Sequence, residues 1–324
     1  MEEALYSQLG FFNTDLVRSD KEGDFLTSPE VSKYFGKIIR NWINSESNLK
    51  NIIEIGSGTG SLIEQIGIKE ITAVELSSTA RKELTKKGIN THTTIDELTT
   101  KTSDLIFGNE ILDNIPCSIG LYRDEVWYEK VVLFEETSLA YDIKPMRNEE
   151  LDWVNKNNIV PNEDYEFEIQ VNIDKFLNSV IKKINPGKIL LFDYGYEQKN
   201  RDKRMYNSLL RTYKNHHLSV DPIEDPGNID ITYDVNFSSI SRQLKYLGYD
   251  VTLKLQRDFL LDNGFNIFFD ELQEKYITAE GIEKLKINSE LNGMKAIADS
   301  NGCLLYTSDA ADEGLGVDLG GRRI

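Results

Sequence analysis

Three glycines alternate at Gly56, Gly58 and Gly60 in the stretch IIEIGSGTG. Glycine is required where a chain turns sharply from strand to helix and where a ligand comes close to the backbone. A side chain at such a position would occupy ligand volume. One carboxylate, Glu54, lies inside the apolar run before the loop, and a second, Glu75, ends the next apolar run in AVELS. An acid at the end of a second strand can accept hydrogen bonds from both hydroxyls of an adenosine ribose. Loop and acid together point to a cofactor built on adenosine. The dinucleotide fingerprint G-x-G-x-x-G would need glycine where Ser61 stands, so the pattern here is instead E-x-G-x-G-x-G.

Further acids could act on a substrate. Glu110 and Asp113, in GNEILDNIPC, follow a run that reads as the fourth parallel strand. In open α/β sheets ligands bind at that carboxyl edge. If the segment starts a helical turn, the i, i+3 spacing puts both acids on one face. The plainer alternative is that they cap the next helix and face solvent. Asn109 offers an amide to cofactor or substrate. Asp24 and Glu30, in GDFLTSPE, form a second candidate pair on a loop that could cover the cofactor. His216 or His217 could serve as a base near neutral pH. Asp193 and Tyr194 end a buried run where packing explains them as well as catalysis does, and Cys117 reads as a small core residue.

These residues need a scaffold. The first fifty residues read as helical around a Gly- and Pro-containing loop. Ser28 can cap the helix that follows, with Pro29 at its first position. Tyr34, Phe35, Ile38, Ile39 and Trp42 recur at helical spacing, which predicts one buried face. NIIEIG, ITAVEL, SDLIFGN and KILLFDYG read as strands alternating with helices such as SSTARKELTKKG. That alternation predicts an α/β fold with a mostly parallel sheet covered on both faces. Two stretches, at about 111–187 and 197–236, exceed a simple crossover and read as insertions that shape a substrate site. The first contains the strand-like VWYEKVVLF and the helix-like RNEELDWVNKNN. Later come a helix over Phe237–Leu247, a strand over Asp250–Gln256 and a further strand near Met294–Ala298.

Composition narrows the function. The chain has 324 residues, with 37 Lys plus Arg against 54 Asp plus Glu, a net charge of −17. That weighs against nucleic acid and anionic membranes as partners. No stretch approaches the 18 or so apolar residues of a membrane span. The acidic start, MEEALYSQLG, lacks the features of a secretory signal or transit peptide. A cytoplasmic location follows, with the mitochondrial matrix the alternative if a transit peptide is missing from this sequence. Two cysteines and three histidines provide no metal-ligand spacing, so no metal is expected.

The glycine loop with Glu54 resembles motif I of class I S-adenosylmethionine-dependent methyltransferases. GDFLTSPEVSKYFG, GNEILDNIPC, LLFDYG, LLRTYKNHH, PGNIDITYDVNF and LQRDFLLDNG follow in order with it. Together they resemble the MidA-type methyltransferase family over about residues 1–302. The resemblance implies a Rossmann-like class I fold with a helical N-terminal region (1–50), a methyltransferase domain (51–302) and inserted α+β substrate segments. It implies S-adenosyl-L-methionine held by Glu54, Gly56, Ser57, Gly58, Gly60, Glu75 and Asn109, with Glu110 and Asp113 as the catalytic acids. Since the family's mitochondrial branch methylates protein arginine in respiratory complex I assembly, a protein substrate is implied, a subunit of that complex among them. Ile111 and Leu112 stand where two phenylalanines are common in the family. Two other functions remain open: an S-adenosylmethionine-binding assembly factor without turnover, and a nucleotide-dependent oxidoreductase.

Residues 303–324, CLLYTSDAADEGLGVDLGGRRI, change style abruptly, with four glycines and no Lys, Asn or Phe. The string resembles a translated sequencing adapter and is expected to lie outside the natural protein and to add nothing to stability. It holds four acids and two arginines, so without it the net charge would be −15.

Overall fold

The computed structural model describes residues 1–13, 27–46, 49–203, 209–214, 217–218, 221–299 and 304–310. Its N-terminal part contains helices α1 (Glu2–Tyr6), α2 (Ser28–Val31) and α3 (Tyr34–Ser45). Strand β1 (Ile52–Ile55), α4 (Ser61–Ile66), β2 (Ile71–Val74), α5 (Ser78–Lys86), β3 (Thr91–His92) and β4 (Ser103–Asn109) follow as the alternation predicts. β1 pairs in parallel with both β2 and β4. The chain thus runs outward from β1 to β3 and then returns to β1's other side. This reversal leaves a crevice at the carboxyl ends of β1 and β4, the usual ligand position in such sheets.

The first insertion is a four-stranded antiparallel sheet of β5 (Ser118–Arg123), β6 (Val126–Glu135), β7 (Ser138–Pro145) and β8 (Glu166–Ile169), in the order β7-β6-β5-β8. It carries α6 (Asn148–Lys156). The inserted sheet is shorter than the stretch 111–187 read from sequence. α7 (Val171–Ile181) packs Ile173, Leu177 and Val180 on the central sheet as its crossover helix. Strand β9 (Ile184–Asp193) then pairs in parallel with β4.

Beyond β9 lie β10 (Gly195–Tyr196), β11 (Leu210–Lys214), β12 (His217–Leu218), β13 (Asp230–Tyr233) and β14 (Val235–Asn236). β12-β11-β13 form the small antiparallel sheet of the second insertion. Its Ile229 and Ile231 pack on Leu5 and Phe11, so the N-terminal segment is anchored there. The chain continues through α8 (Phe237–Tyr246), β15 (Tyr249–Leu255), α9 (Gln256–Asp262), α10 (Phe265–Thr278) and α11 (Gly281–Ile297).

Strand alternation divides the core into two layers. In β9, Leu190 and Phe192 enter one cluster while Ile189 and Leu191 enter the other. This is the period-two geometry of a sheet buried on both faces. Phe35 of α3 and Phe259 of α9 meet Phe192 edge-on, at centroid distances of 5.1 and 5.5 Å. Such pairs add about 0.5–1.5 kcal/mol each beyond area burial. Tyr34, Phe35, Ile38, Ile39 and Trp42 are all buried, as their spacing predicts.

Two local expectations are corrected. Met294–Ala298 is no strand: Met294 and Ile297 belong to α11 and bury one helical face. Ser28 is the first residue of α2 rather than its cap; Thr27 precedes it, with its hydroxyl bonded to Glu30. The structure also gives part of the C-terminal segment a position. Leu304–Ala310 forms strand β16, antiparallel to β9 on one side and β15 on the other. The seven-stranded order is β15-β16-β9-β4-β1-β2-β3, so β16 bridges strands that do not pair with each other. Residues 303 and 311–324 lie outside the described residues. Composition sets the segment apart, whereas backbone pairing gives part of it a place. Deleting residues 303–324 should therefore lower the melting temperature by several degrees, given about 2–4 °C per kcal/mol for a domain somewhat smaller than this. Calorimetry showing an unchanged midpoint would mean that the strand contributes nothing.

Candidate functional site

Backbone geometry builds the glycine loop. The Gly56 N–H donates to Val74 O at 2.8 Å, prolonging the β1–β2 ladder by one bond. Gly56, Gly58 and Gly60 then take φ of +69°, +50° and +85°. In this left-handed region other residues pay about 1–2 kcal/mol. Neighbouring side chains also need the missing atoms. A Cβ at Gly56 would lie 2.4 Å from Ile111 Cγ2, and one at Gly60 would lie 2.7 Å from Leu84 Cδ2. At these two positions the protein's own side chains take the room that the sequence reading gave to a ligand. Ser57 is buried, its hydroxyl donating to Glu54 O at 3.1 Å.

A cavity of about 330 Å³ opens at this loop. Glu54, Gly56, Ser57, Gly58, Glu75, Asn109 and Glu110 all line it; Gly60 and Asp113 do not. Glu30 joins them as a fourth carboxylate. Among the described residues no lysine, arginine or histidine lines the cavity. A cationic ligand would therefore meet carboxyl acceptors there, and a phosphate would meet no cationic side chain among the described residues.

Each acid is held differently. Glu75 accepts from the Gly58 N–H at 2.9 Å through one oxygen and from the Ser77 N–H at 2.7 Å through the other. It thus pins the loop to the end of β2. Burial still pushes its carboxyl above the usual range, with these bonds opposing. Glu54 is only 3% exposed and its Oε2 has no hydrogen-bond partner. Burial lifts it well above the ordinary carboxylate range, and the charges of Glu75 and Glu30 add to that. Glu110 Oε1 accepts from Asn109 Nδ2 at 3.2 Å and, at 3.4 Å, from the Ser28 N–H. Burial, then the charge of Asp113, pushes Glu110 up to about 8.

Glu110 and Asp113 do not share a helical face. Glu110 takes φ +53°, which no helix contains, and residues 110–115 form turns. The turn directs Glu110 to the cavity and leaves Asp113 buried behind it. Several bonds brace this strained turn. The Glu110 N–H donates to Phe192 O at 2.8 Å, and the Leu112 N–H to Asp193 Oδ2 at 2.7 Å. Tyr233 Oη bonds Leu112 O at 3.0 Å and Ile115 O at 2.6 Å. Asn114 Nδ2 donates to Asp230 Oδ1 at 2.9 Å, and Tyr6 Oη donates to Asn114 O at 3.1 Å. Asp193 thus has a bracing role that its position at a buried strand end only half suggested.

The sequence reading missed Tyr6, Phe12, Asn114 and Phe176, all of which line the cavity. Tyr6 and Phe12 stack at 5.5 Å; an aromatic cluster in a short N-terminal segment was the available signal. Asp24 and His216 lie outside the described residues, and the His217 side chain is not described. Cys117 packs against the α7–α8 core layer, where burial raises its thiol.

Comparison with known proteins bears on what this cavity serves. A family model described as S-adenosyl-L-methionine-dependent methyltransferase matches residues 35–253. The chain is 25% identical to a mitochondrial protein arginine methyltransferase NDUFAF7 homolog of Caenorhabditis elegans, over 80% of this chain and 70% of that protein. It is 24% identical to the mitochondrial protein arginine methyltransferase NDUFAF7 of Danio rerio, over 82% and 72% respectively. A Burkholderia thailandensis protein crystallised with S-adenosyl-homocysteine superposes with a TM-score of 0.81 at 21% identity, covering 97% of this chain and 87% of that one. This last likeness establishes the fold.

Proposed function

The chain belongs to the family of S-adenosyl-L-methionine-dependent methyltransferases, and from that premise we propose that it methylates an arginine side chain of a protein at the acid-lined cavity. The observation that carries this reading is a cavity with four carboxylates and no cationic side chain among the described residues. S-adenosylmethionine carries an ammonium and a sulfonium, and an arginine acceptor adds a guanidinium. All three suit this lining, whereas the diphosphate of a nicotinamide dinucleotide would meet carboxyl groups and, among the described residues, no cationic side chain. The match to a methyltransferase family model over residues 35–253 sets the oxidoreductase reading aside.

The residues fit the cofactor. Glu54 holds the ammonium with its unpartnered Oε2. Glu75 takes the ribose hydroxyls with its remaining lone pairs, and Gly56, Ser57 and Gly58 form the cradle beside Asn109. The bound cofactor supplies a methyl group already activated on sulfur. What remains for the protein is positioning. Glu110 grips the guanidinium, with Glu30 replacing Asp113 as the second pocket acid. Two carboxylates fix the planar fork where one would let it rotate. As the guanidinium nitrogen gains a methyl group it loses a proton, which Glu110 accepts. A respiratory-complex subunit is the first acceptor to test, following the family resemblance. The compartment is the cytoplasm or, as for the named relatives, the mitochondrion.

Glu54→Gln keeps the size and removes the charge. It should weaken S-adenosylmethionine binding about 10- to 150-fold, from the roughly 1.5–3 kcal/mol of a hydrogen bond to a charged group. Calorimetry with unchanged affinity would refute the ammonium assignment. For the acceptor, labelled cofactor is added to a lysate of cells lacking the gene. Label in methylarginine supports the reading. Tight cofactor binding with no transfer to any protein would favour an assembly factor without turnover.

A further inference from the structure

In the first insertion, β6 pairs with β5 only up to Lys130, which stands opposite Ile119. Its pairing with β7 runs on, from Val131 opposite Asp142 to Glu135 opposite Ser138. These five residue pairs make a two-stranded ribbon that overhangs β5 by about 17 Å, at roughly 3.4 Å per residue. The overhang lies at the end where β5 leaves the cavity wall. Ile115, just before Pro116, lines the cavity, and Asn172 of α7 donates to Pro116 O at 2.8 Å. Near the ribbon's base, Tyr141 Oη donates to Asp221 Oδ1 of the second insertion at 2.5 Å. That insertion also holds the cavity residue Asn114 through Asp230. Both insertions therefore connect the ribbon to the cavity wall.

Val132, Leu133 and Phe134 on this ribbon are 47%, 41% and 73% exposed. Scattered exposed apolar side chains are ordinary, but three in succession on a projecting ribbon form a patch of the kind that meets a partner. Among the described residues β7 is the outer strand of its sheet, and a two-stranded ribbon is marginally stable alone. Charge selects the partner. From Val131 to Ile143 the chain carries Glu135, Glu136 and Asp142 and no Lys, Arg or His. An anionic membrane would be repelled. A second copy of the chain, docked about a two-fold axis, would set the same acids against each other. We propose that the β6–β7 ribbon is a docking arm for the protein acceptor: an extended, cationic segment beside the target arginine lies on Val132, Leu133 and Phe134, its basic side chains at Glu135, Glu136 and Asp142. The proposal rests on the reading of the cavity as the site of arginine methylation. Cavity and arm then act on one chain, the cavity on the reacting arginine and the arm on its neighbours.

The test uses a fluorescent eight-residue peptide of alternating arginine and valine, with a glutamate–valine peptide as control, titrated against the full chain by anisotropy. The arginine peptide should bind, and Phe134→Ser should weaken it about tenfold or more, the scale of a lost interface anchor. Glu135→Gln with Glu136→Gln should weaken it too and flatten its salt dependence. Hydrogen exchange should show the bound peptide protecting residues 131–142. S-adenosylmethionine affinity should stay unchanged in every variant. Phe134 is so exposed that its loss should spare the fold, and the glutamine pair gives a second reading if it does not. Equal affinity in all variants, or equal binding of the glutamate peptide, would overturn the proposal. So would a concentration-dependent dimer that Phe134→Ser abolishes, or binding to phosphatidylcholine–cardiolipin vesicles that Phe134→Ser abolishes. Label transfer from cofactor to methylarginine in lysate proteins separates the two readings. Transfer undiminished in Phe134→Ser would reject the arm and keep the activity. Ribbon-dependent peptide binding in a protein that never labels arginine would uphold the docking surface and reject the chemistry.

Discussion

Glu110→Gln should depress methyl transfer by about 10²-fold or more and leave S-adenosylmethionine affinity intact. The loss is on the scale expected when a preorganised charge is removed from a reacting site. Glutamine keeps the volume, and Asn109 and Ser28, now bonded to Glu110 Oε1, can still reach an amide oxygen, so the wall should stand. What goes is the charge that holds a guanidinium and accepts its proton. The sign of the pH dependence follows. Glu110 titrates near 8, so at pH 7 most of it is protonated in the free protein. Wild-type kcat/KM should rise with pH through about 8, and the Gln variant should lack that rise. Single-turnover methylation and cofactor calorimetry on one preparation separate this from a folding defect, which would lower both. Normal turnover would shift the role to other pocket acids, Glu30 first.

Gly56→Val should be the most damaging change at the cofactor loop. Valine would have to adopt φ +69°, which costs about 1–2 kcal/mol for any residue with a Cβ and more for a branched one. Its Cβ would also fall 2.4 Å from Ile111 Cγ2, and overpacking adds about 1–3 kcal/mol. Strain would spread along the turn from Ile111 to its neighbour Glu110. Cofactor binding should drop below detection, and the melting temperature should fall. A double-mutant cycle of Gly56→Ala with Ile111→Ala identifies the cause. If the two protein groups compete for space, the second change recovers part of the stability lost to the first. Strict additivity would return that volume to the ligand.

The glycine loop and the acid after the second strand were legible because short-range rules govern them. Three left-handed positions favour glycine, and an acid after the second strand is read by counting. The parallel sheet was legible from alternating apolar runs and helices. The turn around Glu110 was not. Counting from Glu110 to Asp113 assumes helical backbone, yet Glu110 takes a left-handed turn that bonds from Phe192, Asp193 and Tyr233 impose. Those residues lie about 80 to 120 positions away along the chain, and no local pattern announces them. Tyr6 and Phe12 reach the cavity because Leu5 and Phe11 dock on the second insertion, again a contact between distant segments. Met294–Ala298 reads as a strand only if the helical periodicity of the preceding α11 is ignored. β16 was set aside on composition and on the segment's resemblance to a translated sequencing adapter, and neither carries information about backbone pairing.

Strand β16 also bears on the order in which the chain can fold. β9 ends at Asp193 and β16 begins at Leu304, yet the two pair along their length. On a ribosome adding about 5–20 residues per second, the outer edge of β9 stays unpaired for roughly 6–20 s after it is made. Among the described residues β15, made in between, pairs with no strand but Leu304–Ala310. During that interval the nascent protein presents open strand edges of the kind that recruit other chains. The β1–β4 half, which carries the glycine loop, is by then complete. Vectorial synthesis thus favours assembly of the glycine-loop crevice first and closure of the far side of the sheet last, with the long β9-to-β16 connection making that final step slow.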